Sequence, residues 1–353
     1  MSNLKANWMR KKSMYVYPIT ARFNTGLYNP YVDDFIEAMS SDYTCVNRAF
    51  PSKSGVFNIL RFWRKTDVFF LNWIEDLPDK KGGFLQMFFL LVLFPLIKLS
   101  GKQVVWTIHN KRSHEGRYLP IKRWFAHRLM NTVNFMLTHA KEGIRYVEQE
   151  TNATNAQRVF YFPHPVKPRI LPKRKEKQPA TDVLIWGTMA PYKGIHKFLR
   201  FLHEEDPQHT FSVRIMGKIP DPEYKNELKS LATCRVQITD KFVSAEELNA
   251  AMAYTSCILF TYSPEYVLSS GVLADSIGAG KRVLGPHAGA FADLQEEGLV
   301  TTYADFSDCI MMIKKILETT VRNGAVITPK KLGAYSWEAY AQMVTSLLMK
   351  EQT

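Results

Sequence analysis

The sequence predicts an α/β protein of two units, each a parallel sheet covered by helices, and three observations carry that expectation. Short apolar runs rich in Val, Ile, Tyr and Phe alternate with longer stretches at helical spacing, the rhythm of strand-helix-strand units around a buried sheet. The chain's 353 residues exceed one ordinary core and suit two of roughly 150 to 200 residues each. Between the two series of runs, residues 164–181 (HPVKPRILPKRKEKQPAT) hold four prolines and a basic cluster without periodicity, the composition of an interdomain linker.

In the first unit, residues 1–165, the runs MYVYPI (14–19), TDVFFLNWI (66–74), QVVWTIH (103–109) and TVNFMLTH (132–139) read as strands. Asn29 before Pro30 marks a helix start, with Asn as cap, Pro at the first helical position and acids in the first turn of YVDDFIEAM. The linker is placed at 166–181. The second unit, residues 182–334, repeats the rhythm with DVLIWG (182–187), FSVRIMG (211–217), CRVQIT (234–239), CILFTY (257–262) and RVLGP (282–286). Residues 335–353 end the chain with SWEAYAQMVTSLLMK at helical spacing, a helix expected to pack back on the first unit.

Composition narrows the class. Hydrophobic residues at 46 % against 22 % charged give enough apolar surface for folded cores. Cys45, Cys234, Cys257 and Cys309 form no C-x-x-C pair, so neither a zinc knuckle nor a disulfide framework is indicated, and a reducing cytosol is expected. The basic N-terminus is followed by a short apolar stretch with Pro18 and no small-residue cleavage site, unlike a secretion signal. The run from Phe84 to Ile97 is 14 residues with Pro95 inside, too short to span a bilayer, which takes about 20. It reads either as a core helix or as an interfacial one, since Lys80, Lys81, Lys98 and Lys102 flank it.

The net charge of +13 sits in the first half: residues 1–177 carry 29 Lys and Arg against 13 Asp and Glu, and the rest 17 against 20. A basic half beside a near-neutral one points to an anionic neighbour: nucleic acid, a phospholipid surface or a diphosphate-linked acceptor.

Two segments carry the chemistry of the second unit. In WGTMAPYKGIHKFLRFL (186–202) a strand ends at Gly187, a loop holds Lys193-Gly194, and a helix follows, so free backbone N–H groups and an ammonium meet where a diphosphate fits. It is neither a Walker loop nor a dinucleotide G-x-G-x-x-G. In YSPEYVLSSGVLADSIGAGKRVLGP (262–286), Ser269-Ser270-Gly271 stand at a helix start, suited to phosphate oxygens, and Asp275 is one turn on, suited to ribose hydroxyls.

The two segments in this order, with Ile215 to Lys218 and KFVSAEELNAAMAYTSCILFTYSP (241–264), resemble the GT-B glycosyltransferases, and within them the group called family 4 or group 1. The resemblance covers nearly the whole chain. It implies two Rossmann-like domains facing across a cleft, with the nucleotide sugar on the C-terminal one. The donor-binding residues would be Gly187, Thr188, Lys193, Gly217, Lys218, Phe242, Val243, Ser269, Ser270, Gly271 and Asp275, with Lys193 on the diphosphate and Phe242 and Val243 at the base edge. Val267 stands where many members carry the first of two acids, and Thr188 where many carry Arg, so retention of configuration is not implied.

In the first unit, VVWTIHNKRSHEGRYLP (104–120) delivers His109-Asn110 and then His114-Glu115 from a strand end, where α/β sheets place ligands. His109 and Glu115 are the expected catalytic groups, and Gly26, Tyr28, Asn110 and His114 the expected acceptor contacts. No D-x-D triplet or helical zinc pair occurs, so a metal-independent reaction without cofactor is expected. The resulting expectation is hexosyl transfer from UDP- or GDP-sugar to a saccharide, lipid-linked acceptor, for cell-surface polysaccharide or glycolipid synthesis. The protein would be cytoplasmic, peripheral at the anionic inner face of the membrane. No RNA or DNA motif backs the nucleic-acid alternative. A silent relative acting as partner, or a sugar-nucleotide epimerase, stays open on the sequence.

Overall fold

The computed structural model describes residues 11–19, 29–110, 118–173, 181–265, 267–318 and 329–350. Among them, twelve strands form two parallel six-stranded sheets. The first contains β1 (Lys12–Tyr17), β2 (Tyr43–Cys45), β3 (Val68–Asn72), β4 (Gln103–Ile108), β5 (Phe135–Thr138) and β6 (Val159–Tyr161), in the order β2-β1-β3-β4-β5-β6. The second contains β7 (Thr181–Trp186), β8 (Val213–Met216), β9 (Val236–Thr239), β10 (Thr255–Leu259), β11 (Arg282–Pro286) and β12 (Thr301–Tyr303), in the order β12-β11-β10-β7-β8-β9. The strand order reverses between β1 and β3 in one sheet and between β7 and β10 in the other. Such reversals leave a crevice at the carboxyl ends of the strands, because the flanking loops leave toward opposite faces.

Both faces of the central strands are buried, and the period of two sorts their side chains. Met14, Val16, Phe70 and Val105 pack on one face with Trp337, Tyr340 and Val344 of the Trp337–Lys350 helix, which lies beside the Tyr31–Ala38 helix. Tyr15, Phe69, Leu71 and Trp106 pack on the other with Leu90, Phe94 and Ile97 of the Gly83–Leu99 helix. The Asn29 side chain accepts from the Tyr31 N–H at 3.1 Å, and the Asp34 N–H closes the first helical turn on the Pro30 carbonyl at 2.9 Å.

The proline-rich segment is tied down on both sides: the Val166 N–H donates to the Tyr335 carbonyl, the Arg169 N–H to the Gly278 carbonyl, and Lys167 pairs with Asp34 at 2.5 Å. Further along the seam, the Gly289 N–H donates to the Glu142 carboxylate at 3.1 Å and the Lys141 N–H to Asp293 at 2.7 Å.

The Gly83–Leu99 helix has a buried face and an exposed apolar one. Its inner face is core. Its outer stripe, Leu85, Phe88, Val92, Leu96 and Leu99, is between 50 and 85 % exposed, at the three- and four-residue spacing of one helix face. Tyr118, Leu119, Ile121 and Trp124 of the next helical segment extend the exposed apolar surface, Tyr118 meeting Phe84 edge-on at 5.2 Å. No described helix is long and apolar enough to cross a membrane.

Candidate active site in the interdomain cleft

The carboxyl ends of the two sheets border one cavity of about 570 Å³. On the second sheet its wall is built at the β7/β10 reversal. β7 ends at Gly187, whose carbonyl approaches Gly217 so closely that a Cβ at 217 would lie 1.9 Å from it; glycine is required for this contact of strand ends. A 3₁₀ turn, Pro191–Lys193, follows, and Gly194 at φ 68° turns the chain into the Ile195–Glu205 helix. The loop is laced to the one after β10: Thr261 Oγ1 donates to the Lys193 carbonyl at 2.7 Å and the Ser263 N–H to the Tyr192 carbonyl at 3.2 Å.

This lacing buries Lys193, which is 4 % exposed, over the ring of Tyr262 at 5.5 Å. No carboxylate pairs with it among the described residues, and burial pushes its pKa below the usual lysine value. A buried ammonium without a carboxylate partner is costly to hold in the fold. Across from it, Ser270 precedes the Gly271–Gly278 helix, with its Oγ 3.2 Å from the Tyr262 hydroxyl. The Ser269 hydroxyl is buried without a partner, and it stands beside the N-terminus of the Gly271–Gly278 helix.

The first sheet supplies the opposite wall from its own reversal. The Asn72 amide at the end of β3 donates to the Tyr17 carbonyl at the end of β1, at 3.0 Å, which leaves its Oδ1, 3.1 Å from His109 Nε2, to accept. His109 is therefore the Nε2–H tautomer. Burial, then the nearby His139 and His164, hold its pKa well below the usual histidine value, so the ring is neutral with Nδ1 as its acceptor. Tyr31 sits among the rings of Trp73, His109, His139, His164 and Trp337 at centroid distances of 5.0 to 5.8 Å. Its hydroxyl donates to His139 Nε2 at 2.7 Å, while His139 Nδ1–H donates to the Phe162 carbonyl at 2.8 Å.

No family model matches the sequence. A curated relative, the GDP-mannose:glycolipid 4-beta-D-mannosyltransferase of Xanthomonas campestris pv. campestris, is 24 % identical over 276 residues, covering 76 % of this chain and 73 % of the relative. Among solved structures, HepE of Anabaena, crystallised with UDP-glucose, superposes at a TM-score of 0.69 with 14 % identity, over 97 % of this chain and all of that one. The lipopolysaccharide outer core galactosyltransferase WaaB superposes at 0.61 with 13 % identity, again over 97 % of this chain. The chain has the GT-B glycosyltransferase fold.

In that GT-B frame, nine of the residues expected at the site line the one cleft: His109 and Asn110 from the first domain, and Gly187, Thr188, Lys193, Ser269, Ser270, Gly271 and Asp275 from the second. Asp275 also accepts from Arg169 at 3.1 Å, a pairing across the linker. Gly217 lies behind Gly187 rather than in the lining. Lys218 pairs with Asp240 at 3.3 Å, Phe242 is half exposed, and neither they nor Val243 border the cavity. Gly26, Tyr28, His114 and Glu115 lie outside the described residues. Residues with no sequence motif also border the GT-B cleft, among them Tyr31, Trp73, Asp76 and His164. Only the tertiary fold brings them there.

Proposed function

We propose that this chain transfers a hexose from a nucleoside diphosphate sugar to the saccharide of a glycolipid. The observation that carries the reading is Lys193, buried without a carboxylate partner among the described residues in the lining of a cleft that also includes Ser269, whose hydroxyl has no partner, and a helix N-terminus. A leaving diphosphate supplies the charge that this arrangement lacks, and stabilising it there favours cleavage of the anomeric bond. GDP-mannose is the first donor to test, from the name of the curated relative. Neutral His109 would accept a hydrogen bond from a substrate hydroxyl at Nδ1, with Asn110 beside it.

Lys193 and the helix N-terminus take the place of a metal in this proposal, and among the described residues no cluster of three or more His, Cys, Asp or Glu is arranged to hold one. Turnover is expected to survive exhaustive treatment with EDTA. The exposed stripe of the Gly83–Leu99 helix, with Lys80 and Lys81 at its start, supports docking on the anionic inner face of the membrane, apolar side chains entering the acyl boundary and ammonium groups meeting lipid phosphates. Titration of the protein with GDP, UDP and their hexose conjugates tests the donor half of the reading; flotation with anionic vesicles tests the other.

A further inference from the structure

A second cavity, about 950 Å³, lies beside the cleft and wholly on the first domain. Its walls mix apolar faces, Trp124, Tyr146 and Leu119, with the polar groups of Glu75, Asn110 and Gln149. Flat apolar surface set among carboxylates and amides suits a sugar, whose C–H faces pack on rings while its hydroxyls find acceptors. Asp76 and Asn110 border both this cavity and the donor cleft, so the two spaces meet at those residues.

Asp76 stands in the 3₁₀ turn Ile74–Asp79 that follows β3. Its Oδ1 is buried with no hydrogen-bond partner. Its neighbour Glu75, also in the wall of the second cavity, is only 8 % exposed: Trp106 Nε1–H donates to Oε2 at 3.0 Å, and Oε1 has no partner. Two adjacent carboxyl groups thus carry buried oxygens without a partner, Asp76 at the junction of the two cavities and Glu75 in the wall of the second. In the wall of the second cavity Lys122 pairs with Asp79 and Arg123 with Glu150. Burial, and then the charge on Asp76, push the Glu75 carboxyl well above the usual carboxylate range, so Glu75 keeps its proton at neutral pH.

We propose that the second cavity holds the acceptor sugar and that Asp76 is the general base of the transfer. The inference rests on the glycosyltransferase reading above. The acceptor hydroxyl hydrogen-bonds Asp76 at the junction; its oxygen bonds to the anomeric carbon as the bond from that carbon to the diphosphate oxygen breaks. The electron pair leaves with the nucleoside diphosphate beside Lys193, and the hydroxyl proton passes to the Asp76 carboxylate. His109 borders the donor cleft alone, whereas Asp76 borders both cavities.

The test uses the full chain with GDP-mannose and UDP-glucose as donors and n-octyl glucoside and n-octyl mannoside as acceptors, following nucleoside diphosphate release and product formation. Asp76→Asn is expected to bind nucleotide with wild-type affinity, which also shows that it folds, and to lose turnover about 100-fold or more. Asp76→Ala with added formate is expected to recover part of that loss, a response that a merely structural role does not give. Turnover of Asp76→Asn within threefold of wild type, or loss of turnover with no recovery by formate, would overturn the assignment of Asp76 while leaving the donor site standing. A wild-type chain that binds no nucleotide would overturn both readings.

Discussion

The imidazole of His109 lies flat on the indole of Trp73, centroids 4.2 Å apart and planes 14° from parallel. Trp73 holds this position with φ at 51°, a left-handed conformation that costs a residue with a Cβ about 1 to 3 kcal/mol. Strain of this kind persists where surrounding structure over-determines it, and here the turn after β3 delivers Trp73 to the stack and Asp76 to the cavity junction. The stack and the Asn72 hydrogen bond fix His109 in one tautomer and one orientation before any substrate arrives.

Removing that ring is expected to act on the reaction more than on the donor. His109→Ala should lower transfer by about 10- to 100-fold with nucleotide affinity changed less than threefold, checked by initial rates beside calorimetric titration. Equal losses in both would make His109 a donor contact instead.

The buried histidines set a sign for acid stability. His109, His139 and His164 all have pKa values depressed by burial, His139 to about 3 from an ordinary 6.5. The unfolded chain then takes up protons first as pH falls, so the stability these neutral rings contribute is complete above about 6.5 and is lost progressively below it, down to the folded values. Thermal melts between pH 4.5 and 7.5 should show a falling Tm toward acid, with a shallower fall in His139→Gln. Identical slopes in the two proteins would remove His139 from this role.

Lys193 is expected to trade stability for binding. Lys193→Met removes a buried ammonium that pairs with no carboxylate among the described residues, so the Tm should rise, by roughly 2–4 °C for each kcal/mol regained. Nucleotide affinity should meanwhile fall 10-fold or more. A lowered Tm would mean that Lys193 is satisfied within the fold.

The apolar stripe is expected to matter only at a membrane. The triple change Leu85→Ser, Val92→Ser, Leu96→Ser alters exposed positions and should leave the Tm and nucleotide binding unchanged while abolishing flotation with vesicles of phosphatidylglycerol and phosphatidylethanolamine. Retained flotation would move the docking surface elsewhere.

The sequence was most legible where structure is local. The Gly187-to-Gly194 loop and Ser269-to-Gly271 announce themselves because a strand end, a glycine and a helix start occur within one short stretch, and the fold sets both at the same reversal of strand order. β2, β6 and β12 carry no sequence signal because three residues give no period to detect, and each owes its place to a parallel neighbour. β10 begins at Thr255 rather than Cys257, and Thr261 and Tyr262, expected inside it, instead leave the sheet to hold Lys193. The ring cluster around Tyr31 has no sequence signal for a different reason: its members come from a helix, three strand ends, the segment just before the linker and the last helix, and no spacing in the chain connects them. Asp76 likewise belongs to a short turn without a motif, and its meaning comes from the two cavities that meet beside it.

The donor site itself is tested most directly by calorimetric titration of wild type and Lys193→Ala with GDP, UDP and their hexose conjugates at moderate salt. Expected is binding of one nucleotide with a Kd on the order of micromolar, weakened 10-fold or more in Lys193→Ala. No binding of any of them, or equal affinity in the two proteins, would contradict a nucleotide-sugar site at Lys193.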